Sequence, residues 1–175
     1  RLVPIEQCLI LTPVLQALLA PLTEALSIIP ELDAVKTISL TEVSNGIDVV
    51  VELRAPTYDP KAWQNLAHKM QFKRLSIGPE GQSRIIHDEK PHVQLGIYAV
   101  EFPPDAFLQA TREGQELLTK AVLENIGNAS QIADLFCGIG TYSFPLARTA
   151  KVHAVEGSAK MIASVKQAIT QHKLQ

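Results

Sequence analysis

The sequence lacks the features that mark several common classes of protein. Two cysteines, Cys8 and Cys137, in 175 residues are too few for a disulfide scaffold and fit a reducing cytoplasm. With 16 Lys and Arg against 18 Asp and Glu, the net charge of −2 gives no overall attraction for nucleic acid. No apolar run approaches the roughly 18–20 residues of a membrane span, and residues 1–7 do not resemble a signal peptide. We therefore expect a cytoplasmic protein with no membrane partner.

The residues that are present suffice for a folded core. Hydrophobic residues make up 46% of the chain and charged residues 19%, a balance that argues against disorder. The sequence has no initiator Met, and it stops within a helical pattern at 170–175. We therefore expect a fragment that lacks both ends.

Residues 1–103 have the pattern of a small α+β domain. Thr12-Pro13 predicts the start of a helix, which Pro21 should kink or split. Asn45-Gly46 separates two strand-like runs and is a strong hairpin signal. The further predicted elements are a helix over 60–70 and strands over 35–44, 47–54, 72–77, 83–87 and 93–100, with mostly antiparallel pairing.

The pattern changes at Phe102-Pro103-Pro104, and residues 104–175 predict a parallel α/β unit. Its predicted elements are a helix over 111–126, a buried strand over 131–136, a helix over 142–150, a strand over 151–155 and a final helix capped by Ser158. This βαβα order is the opening of a doubly wound, Rossmann-like sheet. Two parallel strands are too few for a stable sheet, so we expect this unit to be incomplete.

The most specific stretch is a strand that runs directly into the turn Gly138-Ile139-Gly140. Glycines let the backbone approach a ligand, and the start of a helix offers free N–H groups. Ser143 stands where a dinucleotide site would have its third glycine, so the fit to NAD is partial. Glu156, after the next strand, can accept hydrogen bonds from both ribose hydroxyls of an adenosine. Asp134, before the glycines, is typical of S-adenosylmethionine sites, where it can hold the amino group. A plain strand–turn–helix is the alternative.

Four segments, in order, resemble one family. Residues 134–147, which include Asp134-Leu135-Phe136-Cys137-Gly138-Ile139-Gly140-Thr141, resemble the first cofactor motif of the RNA uracil-5 methyltransferases. These enzymes methylate C5 of uridine in tRNA or 23S ribosomal RNA. Val155-Glu156-Gly157-Ser158 resembles their second motif, and Phe107-Leu108-Gln109-Ala110-Thr111 their Phe-x-Gln-x-Asn segment. Ile5-Glu6-Gln7-Cys8-Leu9-Ile10-Leu11 resembles the segment of the iron–sulfur members that supplies the last cluster cysteine.

The resemblance implies a small α+β central domain that faces RNA, followed by the first βαβα half of a class I S-adenosylmethionine-dependent methyltransferase domain. It implies S-adenosylmethionine as the cofactor, and a [4Fe–4S] cluster held by Cys8 with three cysteines upstream of Arg1; an ordinary buried cysteine is the alternative. Thr111 and Thr141 stand where the family often has Asn. The predicted cofactor-binding residues are Gln109, Asp134, Phe136, Gly138, Gly140, Thr141 and Glu156.

The family mechanism is covalent. A Cys thiolate adds to C6 of uracil, C5 takes the methyl group, a base removes the C5 proton, and the thiolate leaves. The family places thiolate and base beyond Gln175, so no catalytic residue is assigned within this chain, and we expect it to be inactive alone. Cys137 is expected to be a packed thiol.

The Cys8 segment favours 23S ribosomal RNA as the substrate, and we expect a monomer. Three alternatives stay open: a tRNA uracil-5 methyltransferase, a methyltransferase for a non-RNA substrate, and a non-catalytic RNA-binding relic. A basic cluster of Lys69, Lys73 and Arg74 near Trp63 and Phe72 either contacts RNA or is a solvated helix end.

Overall fold

The structure is a computed structural model that describes residues 8–104 and 106–174. The chain divides into two compact units, Arg1–Pro91 and His92–Gln175. The first unit contains α1 (Pro13–Leu26), β1 (Val35–Val43), β2 (Gly46–Leu53), α2 (Pro60–Met70), β3 (Arg74–Pro79) and β4 (Arg84–Asp88). The second contains β5 (His92–Leu95), β6 (Tyr98–Glu101), α3 (Arg112–Asn125), β7 (Gln131–Leu135), α4 (Ser143–Leu146), β8 (Lys151–Val155) and α5 (Ala159–Gln171).

The first unit is a four-stranded sheet in the order β1-β2-β3-β4. The predicted hairpin at Asn45-Gly46 is confirmed: β1 and β2 are antiparallel, and Val43 pairs with Gly46. The strands β2 and β3 are parallel because α2 carries the chain across between them. Thr12 caps α1, as predicted. The helix is not split at Pro21, whose side chain is exposed within the continuous α1.

The core of the first unit lies between one face of the sheet and the helices α1 and α2. The apolar face of β2 is at most 6% exposed. Trp63 and Phe72 are each 1% exposed and belong to this core. Their rings are therefore not available to stack on a base, and contact of the basic cluster with RNA phosphate stays a prediction. The core members on β2 and β3 are Ile47, Val49, Val51, Leu53, Leu75 and Ile77.

The opposite face of this sheet contains a buried ion pair. Asp48 and Arg74 are register partners on β2 and β3, and the Arg74 Nε lies 2.7 Å from the Asp48 Oδ1. Both side chains are 2% exposed. Lys73, the neighbour of Arg74, instead pairs with Glu89 at 2.7 Å. The basic cluster of the sequence is thus dispersed, and Arg74 is a structural residue.

The second unit contains the predicted β-α-β-α order, β7-α4-β8-α5, with β7 and β8 parallel. The strand predicted over 93–100 is instead the hairpin β5–β6, which turns at Gly96 with a φ of 63°. The hairpin packs against α5: the Gln167 side chain donates to Glu101, and His172 contacts the Ala99 carbonyl. This packing places the division of the two units ahead of the pattern change at 102–105.

Two predictions for the second unit were wrong: the length of the helix after the glycine loop, and the burial of β7. The helix expected over 142–150 is the single turn α4, and beyond it the N–H groups of Arg148 and Thr149 bond to carbonyls only three residues earlier, those of Pro145 and Leu146. The strand expected to be buried alternates between exposed and half-buried residues, as β8 does. Within the described ranges, no helix is both long enough and apolar enough to cross a membrane.

Candidate functional site

The glycine-rich segment after β7 forms a compact loop against the end of β8. The Cys137 N–H donates to the Val155 carbonyl at 3.1 Å, and the Gly140 N–H donates to Cys137 at 2.9 Å. Three residues of the loop have a positive φ: Phe136 at 61°, Gly138 at 58° and Gly140 at 89°. The loop therefore depends on left-handed backbone conformations that favour glycine.

The two glycines are required for different reasons. At Gly140, a Cβ would lie 2.7 Å from ring atoms of Phe144, so both space and backbone conformation demand glycine. At Gly138, a Cβ would have nothing within 4 Å, and only the backbone conformation favours glycine. The open space beside Gly138 is where a ligand could approach the backbone.

Glu156 is held at the glycine loop by backbone hydrogen bonds. Its Oε1 accepts from the Ser158 N–H at 2.8 Å, and its Oε2 accepts from the Gly138 N–H at 2.9 Å. These bonds to Ser158 and Gly138 lower the pKa of Glu156 below its ordinary value of 4.5. Glu156 is therefore a fixed carboxylate at neutral pH.

Asp134, near the end of β7, is held by a side chain. Its Oδ2 accepts a 2.6 Å hydrogen bond from the Ser143 hydroxyl, and Ser143 is 7% exposed. Ser143 stands at the place of the third glycine of a dinucleotide loop. Sequence analysis noted it as a departure and missed its bond to Asp134, for which the only local signal was a hydroxyl near the start of α4.

Cys137 is a buried thiol, as predicted, with 5% of its surface exposed. Burial, followed by the carboxylates of Asp134 and Glu156, raises its pKa above the ordinary value of 9.0. A reactive cysteine needs the opposite shift. The geometry therefore agrees with a packing role for Cys137.

The remaining predicted site residues are spread over this unit. Phe136, at the start of the loop, is 89% exposed, while Thr141 follows the second glycine and is half-buried. Gln109 is half-buried in the segment between β6 and α3. The structure thus brings Asp134, Gly138 and Glu156 together by hydrogen bonds or charge, and cofactor contact by the others stays a prediction.

Sequence analysis also missed the support of the loop by aromatic rings. Tyr98, at the start of β6, lies 5.6 Å from Phe144 between ring centroids, and Phe144 is the residue that fills the space beside Gly140. Tyr98 also contacts the His172 ring at 5.3 Å. The hairpin β5–β6 and the end of α5 therefore support the loop through the ring contacts of Tyr98 with Phe144 and His172.

The charge of the site favours a cationic ligand. A phosphate-binding glycine loop uses its free N–H groups and the start of a long helix. Here the Gly138 N–H is already bonded to a carboxylate, and α4 has only four residues. Two carboxylates, Asp134 and Glu156, face the loop instead. Such a site attracts ammonium and sulfonium groups and repels a pyrophosphate.

Cys8 by itself can supply only one thiolate ligand to a metal cluster. Cys8 is half-buried, and its backbone N–H donates to the Gln16 side chain at 2.8 Å. In the part of the chain that the structure describes, no three His, Cys, Asp or Glu side chains form a group that could hold a metal. A [4Fe–4S] cluster takes four thiolates, so the described residues do not form such a site.

The chain is similar to proteins named as RNA methyltransferases. An uncharacterized RNA methyltransferase of Brucella melitensis is 32% identical over 171 residues, which are 97% of this chain and 40% of that protein. The 23S rRNA (uracil(1939)-C(5))-methyltransferase RlmD of Shewanella amazonensis is 30% identical over 172 residues, 94% of this chain and 39% of that protein. This chain thus spans about 40% of the length of these relatives. No protein-family model matches the chain.

Among solved structures, the Pyrococcus abyssi tRNA (uracil-54, C5)-methyltransferase in complex with S-adenosyl-L-homocysteine has the same fold. The TM-score is 0.79 at 16% identity, and the match covers 100% of this chain and 48% of that one. The chain therefore shares its mixed α/β fold with that methyltransferase structure. Sequence and fold together show that this chain belongs to the RNA uracil-5 methyltransferase family.

Proposed function

We propose that the chain is the part of an S-adenosylmethionine-dependent RNA uracil-5 methyltransferase that holds the cofactor. In this proposal, the second unit supplies the cofactor site, and the first unit forms the domain that faces RNA. The carboxylate of Glu156 binds the ribose hydroxyls, Asp134 binds the amino group, and the exposed Phe136 ring contacts the adenine. Gln109 and Thr141 complete the contacts. When bound, S-adenosylmethionine supplies the methyl group.

The observation that carries the proposal is the bond between Glu156 and the Gly138 N–H. It occupies the amide that would otherwise bind a phosphate, and it places a fixed negative charge beside the open space at Gly138. A neutral adenosine with a cationic tail suits that site, whereas ATP and NAD do not. Family membership and the neighbour solved with S-adenosyl-L-homocysteine support the same cofactor.

Calorimetric titration of the 175-residue chain tests this cofactor. We expect S-adenosyl-L-homocysteine to bind and ATP and NAD not to bind. Glu156→Gln should weaken binding of S-adenosyl-L-homocysteine at least tenfold, since it removes an ionic acceptor. The matched control is Glu116→Gln, an exposed acid on α3, which should leave binding unchanged. No binding by the unaltered chain, or equal binding of ATP, would contradict the proposal.

RNA is the proposed substrate because relatives that match nearly the whole chain are named as RNA methyltransferases. The similarity to the 23S rRNA enzyme of Shewanella favours ribosomal RNA, and the fold match to a tRNA enzyme keeps tRNA as the second candidate. The parent protein carrying this chain, incubated with labelled S-adenosylmethionine and each RNA, should form 5-methyluridine in 23S ribosomal RNA. Product in tRNA alone would favour the second candidate.

The 175-residue chain by itself should form no 5-methyluridine. Among the described residues of the second unit, Cys137 is the one thiol, and its raised pKa and burial make it unsuited to attack C6 of uracil. Nucleoside mass spectrometry after incubation with both RNAs would test this expectation. Detection of 5-methyluridine would show that a nucleophile does lie within the chain.

The iron–sulfur cluster proposed for the parent protein is tested in that protein by its absorbance and iron content, with Cys8→Ser as the variant.

A further inference from the structure

Ser143 joins the end of β7 to the start of α4 through its side chain. Its hydroxyl lies 2.6 Å from the Asp134 Oδ2, and the residue is 7% exposed. A carboxylate at neutral pH only accepts hydrogen bonds, so the Ser143 hydroxyl is the donor. The bond joins two residues that are nine positions apart in sequence.

The hydroxyl is not used to cap the helix. Ser143 begins α4, the preceding residue Tyr142 is the N-cap, and no side chain makes a capping hydrogen bond there. A packing role alone would also not require an oxygen in this place, since alanine has a similar volume. The Ser143 hydroxyl also interacts with the neighbouring Cys137 thiol, but its short hydrogen bond is the 2.6 Å bond to the Asp134 carboxylate.

The hydrogen bond from Ser143 fixes the Oδ2 of Asp134 and does not involve the Oδ1. A carboxylate has two oxygens and about four acceptor sites. With Oδ2 held by Ser143, the side chain cannot rotate freely, and Oδ1 is presented in one direction. Ordering a charged acceptor before the ligand arrives lowers the entropy cost of binding.

We propose that Ser143 is a positioning residue that aims the Asp134 carboxylate at the amino group of S-adenosylmethionine. The inference rests on the proposed cofactor. It explains why this loop has serine where a dinucleotide loop has its third glycine: a glycine there would leave Asp134 without its donor. Ser143 itself does not contact the ligand.

Two ligands separate positioning from general support of the loop. S-adenosyl-L-homocysteine has the amino group, and 5′-methylthioadenosine has the same adenosine and sulfur without it. In the 175-residue chain, Ser143→Ala should weaken binding of S-adenosyl-L-homocysteine about tenfold, the scale of one hydrogen bond to a charged group. Binding of 5′-methylthioadenosine should stay within about twofold of that of the unaltered chain.

Three further variants sharpen the test. Ser143→Thr keeps the hydroxyl and should retain the preference for S-adenosyl-L-homocysteine. In an Asp134→Asn background, Ser143→Ala should cause no further loss, because the two residues act as one unit. Ser164→Ala removes a hydroxyl that is equally buried, at 6% exposure, on α5 and should leave both ligands unaffected.

The possible outcomes separate this inference from the function on which it rests. If the unaltered chain binds neither ligand, the proposed cofactor and this inference both fail. If it binds both, but Ser143→Ala weakens both equally or neither, the cofactor stands and the positioning role is overturned. A loss for Ser143→Thr as large as that for Ser143→Ala would also overturn it.

Discussion

The sheets of the two units are covered to different degrees. In the first unit, β2 and β3 are buried along most of their length, and Val51, Leu75 and Ile77 are 0% exposed. In the second unit, exposed residues alternate with half-buried ones along β7 and β8, and Leu135 is 62% exposed. Parallel sheets in folded proteins are usually covered on both faces. Hydrophobic burial therefore stabilises the first sheet far more than the second.

The helices repeat the contrast. The helix α2 buries Trp63, Leu66 and Ala67, whereas α3 has no buried residue and exposes Leu117 at 68%. What is tightly fixed in the second unit is the loop after β7, through hydrogen bonds and the Phe144 ring. The candidate site is thus ordered locally, and the sheet beneath it contributes little stabilisation.

The largest expected effect concerns the ion pairs of the two units. Arg74→Met removes the partner of the buried Asp48 and should lower the free energy of unfolding by about 3–5 kcal/mol. Lys120→Met removes an exposed pair with Glu124 on α3 and should cost no more than about 0.5 kcal/mol. Urea unfolding followed by circular dichroism measures both. A cost below about 1 kcal/mol for Arg74→Met would break the comparison.

The same apolar change in each sheet gives the next effect. Leu75→Ala removes a side chain with 0% exposure from β3 and should cost about 2–5 kcal/mol. Leu135→Ala at the end of β7 should stay within about 0.5 kcal/mol because the side chain is already in water. Fluorescence of Trp63, the chain's one tryptophan, follows the first unit, and thiol labelling of Cys137 follows the second. Equal costs would contradict the difference in burial.

An intermediate effect should appear in the loop. Gly140→Ala places a methyl group 2.7 Å from the Phe144 ring at a φ of 89° and should cost about 2–3 kcal/mol. Gly138→Ala, with a φ of 58° and open space, should cost about 1 kcal/mol. Protection of Cys137 from a thiol reagent measures both. If Gly138→Ala proved the more costly, the loop would not be the well-packed part of the second unit.

The smallest effect is on acid stability. Backbone N–H groups lower the folded-state pKa of Glu156, and Lys73 lowers that of Glu89 in the first unit. A lowered pKa gives stability that is present above the ordinary value of 4.5 and is lost as the pH falls through the lowered one. In the variants Glu156→Gln and Glu89→Gln, the free energy of unfolding should therefore fall less steeply than in the unaltered chain as the pH drops below 4.5.

Salt distinguishes these two carboxylates. Added salt screens an exposed ion pair, so it should diminish the contribution of Glu89 and leave that of Glu156 nearly unchanged. Thermal unfolding of both variants at low and high ionic strength is the measurement. Equal sensitivity to salt would show that charge, rather than the backbone bonds, holds Glu156.

Local signals in the sequence predicted most of the elements. Asn45-Gly46 predicted the hairpin, and the hydroxyls of Thr12 and Ser158 cap helices as expected. These features depend on neighbours within a few residues, which periodicity and capping rules describe. The glycine loop and its two acids were found in the same way.

What the sequence did not reveal depends on distant partners. The pairing of Arg74 with Asp48 needs the parallel register of β2 and β3, across 26 residues. The bond of Ser143 to Asp134 needs the chain to fold back from α4 onto β7. The exposure of β7 depends on which other elements pack against its sheet. A run of apolar residues does not show which elements those are.

Phe136 shows what the site costs the fold. Its φ of 61° is a conformation that glycine adopts freely and that costs a residue with a side chain about 1–2 kcal/mol, and its ring lies 89% in water. Neither property stabilises the folded chain, so Phe136→Gly should make the chain more stable. In the proposed function the Phe136 ring contacts the adenine, and the same substitution should then weaken cofactor binding, which would make this position a compromise between stability and function.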